Sequence, residues 1–369
     1  MKRLWNVYNK IYDLDNLRLA HKMARKDKSL YKDVIMVDKN PDFYLKEIQT
    51  ILKEKRYRIS KNDYSIQVIW DKTKERELRK LKYYPHRIIQ RAIMLQLEDT
   101  FNKHLCYHTC ASLVWRWWMR INQLMRKYLK DKKWTAYCLK IDIKKYYPNI
   151  NHKILKSQLR KKIKDPDALW LLDMTIDSFP WKKWLPIWSY LSQYLANFYL
   201  SRFDHRLKED LHLKYVLRYM DDIVILWPKT STLRVVYRRM KKYLSWNLAL
   251  QIKDNRQIFP TRIRWIDYIW YRYFWDFILL RKSTVQNLKH RYNIILKKIN
   301  KWEQINFQDR CSINSYAWRI LHCDSYRLYE KYIEPLTDIL CEYYSNNIVD
   351  WNLKRVDKYR NKLIKKKYH

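Results

Sequence analysis

No glycine occurs among the 369 residues of this chain. Average usage of about 7% would place about 26 of them here. Glycine is the usual occupant of positive-φ turns and of loops whose backbone must approach a ligand closely. Its absence excludes the Walker A loop and the dinucleotide-binding fingerprint, both of which need it. Whatever the chain folds into, its sharp reversals must be made by residues that carry a Cβ. Tryptophan, by contrast, occurs 18 times.

Lysine and arginine number 78 against 37 aspartates and glutamates, a formal net charge of +41. Such a charge implies a polyanionic partner, most often nucleic acid, and excludes an acidic solvating chain. With 47% apolar and 16% aromatic residues, the chain has a core to bury and is no mere basic tail. Its length predicts two or three domains. Cys106, Cys110, Cys138, Cys311, Cys323 and Cys341 form no C-x-x-C pair. The alternation His104, Cys106, His108, Cys110 fits no common zinc spacing, and these read as thiols of a reducing cytosol. No apolar run approaches the roughly 20 residues of a membrane span. The basic N-terminus lacks the apolar stretch of a secretory signal. The expectation is a cytoplasmic protein with no membrane partner.

Three regions follow from the patterning. Residues 1–60 read as a basic helical extension, with helix-period apolar positions over 15–28 and 41–55. Residues 61–281 mix strands and helices. An extended stretch over 61–85 leads into a helix from Pro85 to Glu98. A strand over 136–142 is followed by a helix over 151–163 and another over 189–209. Two β-rich runs in 215–226 then meet at a pair of aspartates, the pattern of a hairpin with an acidic tip. Residues 282–369 read as a helical basic domain. There Val285, Leu288, Tyr292, Ile295, Ile299 and Trp302 form one face, with Ser283 or Thr284 as N-cap. Lys289, Lys297, Lys298 and Lys301 lie off that stripe and could face phosphates.

Asp142 ends one hydrophobic strand, and Asp221–Asp222 separates two more. Buried carboxylates without a cation are costly. Two Mg²⁺ ions would supply the cation. Such a pair can activate a 3′-hydroxyl and stabilise a leaving pyrophosphate, and Mg²⁺ takes oxygen ligands. Asp221–Asp222 taken alone reads rather as a solvated turn, since aspartate is common in turns. The four residues Tyr219-Met220-Asp221-Asp222 in a strand-turn-strand setting are more specific.

Those four residues resemble the palm motif of reverse transcriptases. Leu139-Lys140-Ile141-Asp142-Ile143-Lys144-Lys145-Tyr146-Tyr147-Pro148 is similar to the family's first metal-binding motif. The resemblance implies a right-hand polymerase fold of the α+β class, with an antiparallel palm sheet, interleaved fingers and a C-terminal helical thumb. It implies metals held by Asp142, Asp221 and Asp222, with Ile143 as a further ligand position. Tyr147 falls at the steric gate, where a ring excludes a ribose 2′-hydroxyl; the other reading is an ordinary core aromatic. Arg76 matches the fingers arginine on the incoming triphosphate, with Lys72, Lys74 and Arg79 close by. Lys253 matches the lysine after the palm strands, or is a solvated surface lysine. Arg87 aligns with the arginine of an Asp-Arg pair whose aspartate is here His86. The segment 266–270 resembles the primer-grip hairpin.

Within the family, Leu185-Pro186-Ile187-Trp188-Ser189-Tyr190-Leu191-Ser192-Gln193 resembles the enzymes of diversity-generating retroelements, as does the run from Asn16 to Ala24. That likeness implies cDNA synthesis from a template-repeat RNA with errors directed at adenines. Ile187 and Gln193 would lie beside the incoming nucleotide, where fewer contacts narrow the gap between right and wrong pairs. It also implies dNTPs, a cDNA/RNA duplex and a small basic accessory protein as partners. A group II intron or retron enzyme, and an inactive RNA-binding protein on the same fold, are the alternatives.

Several tryptophans, Trp5, Trp115, Trp117, Trp184, Trp188, Trp265 and Trp270, stand where that family has glycine. Each forced overpacking costs about 1–3 kcal/mol, and six or more approach the whole 5–15 kcal/mol stability of a domain. The resemblance therefore implies a gene in which UGA is read as glycine. UGG codons at Trp184, Trp188 and Trp270 would end that idea.

Overall fold

The computed structural model describes residues 3–71, 74–113, 118–178, 182–186, 189–301 and 303–336. Its contacts divide into two compact units. The first takes residues 1–117, 139–225 and 231–257, and the second 118–138, 226–230 and 258–369.

The chain opens with helices α1 (Tyr8–Ile11), α2 (Leu14–Ala24), α3 (Lys32–Lys39) and α4 (Pro41–Lys53). The antiparallel hairpin β1 (Tyr64–Asp71) and β2 (Lys74–Leu81) follows, then α5 (Ile88–His104) and α6 (Trp118–Leu129). Strand β3 (Tyr137–Asp142) leads to α7 (Tyr146–Asn149), α8 (His152–Arg160), α9 (Pro166–Asp177), α10 (Tyr190–Tyr199) and α11 (Ser201–Glu209). After β4 (Tyr215–Tyr219) and β5 (Asp222–Trp227) come α12 (Thr230–Leu248) and β6 (Gln257–Pro260). The order closes with β7 (Ile266–Tyr268), β8 (Tyr271–Tyr273), β9 (Ile278–Leu280), α13 (Lys282–Asn300), α14 (Phe307–Leu321) and α15 (Tyr326–Tyr332).

Local chemistry explains the helix starts. Asp13 caps α2 by accepting from the amides of Asp15 and Asn16, and Asn40 caps α4 ahead of Pro41. Both are N-cap residues by preference, and proline suits the first helical turn because its missing N–H is not needed there. On α4, Leu45, Ile48 and Leu52 are buried at helical spacing. Asp165 does more than cap α9. One oxygen accepts from Asp167 N and Ala168 N, and the other from Val7 N (2.7 Å) and Tyr8 N (2.9 Å). Burial works to raise this carboxyl, but the backbone amides override it and hold it below the usual range.

A four-stranded sheet runs in the order β4-β5-β3-β6. Met220 and Asp221 alone join β4 to β5, a connection that only antiparallel neighbours can use. Tyr215–Arg218 and Ile223–Leu226 are buried without a break, so side chains on both faces of this hairpin are covered. α10 is buried almost all round, as a core helix should be.

The second unit carries a three-stranded antiparallel sheet, β7-β8-β9. Asp324 accepts from Ile278 N (2.8 Å) and pairs with Arg126 (3.2 Å). α13 buries Leu288 and Ile295 on the expected stripe. Two readings of this helix need correction. It starts at Lys282 with Arg281 as N-cap, not Ser283 or Thr284, because β9 ends at Leu280 and Arg281 N is already held by the Trp270 carbonyl (2.8 Å). Lys298 does not face outward. Its ammonium pairs with the buried Asp309 at 2.7 Å. Trp302 and Cys341 lie outside the described residues.

Asp165→Ala removes the acceptor of four main-chain amides. It is expected to lower the urea unfolding free energy by about 2–3 kcal/mol; an unchanged midpoint would show that the carboxylate ties nothing down.

Candidate active site

The three aspartates lie on two adjacent strands and the turn that leads into one of them. Asp142 ends β3, Asp221 sits in the β4–β5 turn, and Asp222 begins β5. The amide of Ile143, next after Asp142, donates to the carbonyl of Asp221 at 3.1 Å. On the other side, Lys253 N donates to the Asp142 carbonyl (2.8 Å) and Lys144 N to the Gln251 carbonyl (2.7 Å). The backbone thus fastens the end of β3 between the acidic turn and the 251–253 segment.

The charges there are crowded. Burial, and after it the Asp142 carboxylate, pushes the Asp221 carboxyl up to about 6. Lys253 Nζ lies 2.6 Å from Asp142 Oδ1, and Lys140 Nζ lies 3.6 Å from Asp222 Oδ2. Among the described residues, no three His, Cys, Asp or Glu side chains form a group that could hold a metal ion. Mg²⁺ is compatible with that, because it is usually bound by one or two carboxylates together with substrate phosphates rather than by a closed protein cage. Asp142 and Asp221 offer only oxygen donors, the kind that a hard divalent ion takes.

Tyr147 lies on α7, just after Lys145, whose φ is +46°. Its hydroxyl is 3.6 Å from Met220 Sδ. Burial, and then the nearby Asp221, raises the phenol. The ring is therefore placed against the acidic turn. Gln193 is on α10, half-buried, with its amide on the Ser189 carbonyl (3.1 Å). Arg76 stands on β2 opposite Ile69. Ile187 lies outside the described residues, as do Lys72, Trp115, Trp117 and Trp188. His86 and Arg87 part company. His86 meets Tyr57 (3.0 Å) and Asp63 (3.5 Å), whereas Arg87 Nε donates to the Leu81 carbonyl (2.9 Å). The segment 266–270 forms β7 and the turn into β8.

A cavity of about 210 Å³ opens in the first unit, lined in part by Lys28, Arg79, Lys80, Arg87 and Arg91, with no acidic residue among the described residues of its wall. Burial, and then Arg87, lowers the Lys28 ammonium. The Arg91 guanidinium lies 4.1 Å from the Tyr190 ring centroid. Of these, the family resemblance singles out only Arg79 and Arg87. Lys28, Arg79 and Arg91 come from three distant segments, so no local spacing could have grouped them. Arg218 was missed as well, though an arginine inside the apolar run of β4 was a visible signal.

Against known families, the model described as reverse transcriptase (RNA-dependent DNA polymerase) matches residues 59–266, more than half of the chain. No curated protein matches the sequence. Among solved structures, telomerase from Candida albicans in complex with a TWJ fragment of telomeric RNA aligns at 10% identity over 84% of this chain and 67% of that one, with a TM-score of 0.45. Apo telomerase from Candida tropicalis aligns at 11% identity over 83% and 72%, with a TM-score of 0.48. Among the described residues no helix is long and apolar enough to cross a membrane.

The Asp221 shift has a signed consequence for stability without metal. Its folded value, about 6, exceeds the ordinary 3.8, so ionisation opposes folding increasingly as pH rises from about 4 to about 6. Asp221→Asn should therefore stabilise the chelator-treated protein at pH 7 by about 1–3 kcal/mol and flatten the pH dependence in that window. Urea melts from pH 4 to 7.5 check it, and equal stabilities at pH 7 would contradict it.

Proposed function

The chain belongs to the reverse transcriptase family of RNA-dependent DNA polymerases, and from that premise we propose that Asp142, Asp221 and Asp222, with Ile143 beside them, hold two Mg²⁺ ions at the growing end of a cDNA. The fold is α+β, the right hand of that family, and the activity is RNA-directed DNA polymerisation. The observation that carries the metal reading is the Asp142–Asp221 pair, two carboxylates close enough for one to hinder ionisation of the other. When bound, the ions would activate the 3′-hydroxyl and stabilise the departing pyrophosphate. The chain's own residues serve the substrate. Tyr147 would bar a ribose 2′-hydroxyl. Lys253 would balance charge at Asp142. Arg76, with the cationic cavity near it in sequence, would meet phosphates.

The finer reading is an enzyme of a diversity-generating retroelement, copying a template-repeat RNA with adenine-directed errors. Ser192-Gln193 and Ile187 support it. dNTPs, the cDNA/RNA duplex and a small basic accessory protein are the proposed partners. The helices from Lys282 onward are the proposed thumb, residues 61–281 the fingers and palm, and residues 1–60 the basic extension. Trp184 supports the reassignment of tryptophan to glycine. Its φ is +97°, in the region that favours glycine and burdens any residue with a Cβ. Reading the codon at that position, or the mass of a natural peptide across 182–186, tests it.

Primer extension on an RNA template with Mg²⁺ tests the function. The glycine-restored protein is expected to make cDNA with errors concentrated opposite adenine. Asp142→Asn and Asp221→Asn should each cost at least about a hundredfold in rate, and a chelator should abolish synthesis. Accurate product would point to a group II intron or retron enzyme. No product from a folded, RNA-bound protein would leave an inactive RNA-binding chain. Template affinity should fall steeply and linearly on a logarithmic salt scale, since backbone phosphates carry it.

A further inference from the structure

Beneath the acidic turn lies a charge that the proposed chemistry does not use. Arg218, on β4, has a fully buried side chain, and so does its partner Asp204 on α11. Nε donates to Asp204 Oδ1 at 2.8 Å and Nη2 to Oδ2 at 2.5 Å. Burial works to raise the Asp204 carboxyl, and the guanidinium overrides it, holding it at about 2. Thr109 Oγ1 donates to the same carboxylate at 2.9 Å. His108 Nε2 stands 3.7 Å away.

The rest of the guanidinium reaches toward the site. Nη1 donates to the carbonyl of Met220 at 3.0 Å and to Asn197 Oδ1 at 3.2 Å. Met220 is the first residue of the acidic turn, with φ at +52°. A side-chain-bearing residue holds that conformation only where its surroundings fix it. Asn197 is on α10, the helix that also carries Gln193. One planar group therefore joins the turn that bears Asp221 to the helix beside the proposed nucleotide site. The segment before it adds a further tie, since Arg218 N donates to the His108 carbonyl (3.0 Å) and Cys110 N to the Arg218 carbonyl (3.1 Å).

A buried ion pair is weak evidence for stability, because two well-packed apolar side chains often serve the fold as well or better. What an apolar pair cannot do is fix a carbonyl in place. We propose that Arg218 is the positioning residue of the acidic turn: neutralised by Asp204, it fixes the Met220 carbonyl, and with it the placement of Asp221 against Asp142, and couples that placement to α10. The inference rests on the reading of the aspartates as metal ligands.

The test uses the full-length protein with Mn²⁺ as probe, read by electron paramagnetic resonance, beside a thermal melt and a template–primer binding titration. Arg218→Lys keeps a cation opposite Asp204 but replaces the fork of donors with a point charge. It is expected to weaken Mn²⁺ binding by about tenfold or more, as loss of a group that orients metal ligands does, while template–primer affinity is unchanged. The paired variant Arg218→Met with Asp204→Leu removes both buried charges together, which spares the fold more often than removing one. It should melt at or above the wild-type temperature and show the same Mn²⁺ weakening. Either variant, folded and binding Mn²⁺ as tightly as wild type, overturns the proposal. A wild-type protein that takes up no Mn²⁺ overturns the metal reading itself, and this role with it; the wild-type titration shows that separately.

Discussion

Two carboxylates of like charge, Asp142 and Asp221, are held together half-buried at the end of the central sheet. Asp142 and Asp221 would move apart if only their own electrostatics acted. The opposing forces are main-chain. β3 lies next to β5, the Ile143 amide is bonded to the Asp221 carbonyl, and Lys253 N is bonded to the Asp142 carbonyl. Each of these bonds is worth only about 1 kcal/mol net. They hold because the strands carrying them are buried along both hydrophobic runs, Cys138–Leu139 with Ile141 and Ile223–Leu226. The energy of the core is thus converted into an unfavourable placement of charge, which is how functional sites commonly store strain.

The parts of this arrangement that were legible in the sequence are those whose signal is local. An apolar run ending in Asp142 and two runs meeting at Asp221–Asp222 have period and punctuation that read directly as strands and a turn. The helix expected over 151–163 is there as well, shorter at its C-terminal end, as α8 over His152–Arg160 with Asn151 as its cap. What could not be read depends on distant partners. The break at Leu200 between α10 and α11 interrupts a continuous helical pattern. The α13 start is set by where β9 ends. Lys298 looked like a surface cation until the buried Asp309, on another helix, took it up. The helix α3 over 32–39 went unread between two clearer neighbours.

The absence of glycine shows in the backbone as a set of left-handed residues that all carry side chains. Asn6 and Asp27 tolerate that region well, because their short polar groups can bond locally. Met220, Ile269 and Trp184 do not share that advantage. Met220 is held from below by Arg218, and Ile269 by the two-residue turn between β7 and β8, whose carbonyl accepts from Arg281 Nη1 at 3.0 Å. Trp184 is gripped through its main chain, its amide on the Ile150 carbonyl and its own carbonyl 2.9 Å from His152 Nε2. In each case the backbone bonds dictate the conformation, and the side chain is what must be accommodated.

The net charge of +41 creates a problem that the local structure resolves. A strongly basic surface draws in a polyanion, yet the same cations would neutralise the carboxylates if they could reach them. Near the acidic turn, Lys253 and Lys140 approach Asp142 and Asp222. Arg218, fully buried, is paired with Asp204 and gives the turn a hydrogen bond at the Met220 carbonyl. At Asp221, burial and the Asp142 carboxylate outweigh the pull of Lys253 and Arg218, and its hindered ionisation is the physical record of that deficit. The deficit is the charge that a divalent ion arriving with substrate phosphates would make up. Lysines thus meet Asp142 and Asp222 directly, and Asp221 is the carboxyl in which burial and the Asp142 charge still outweigh the nearby cations.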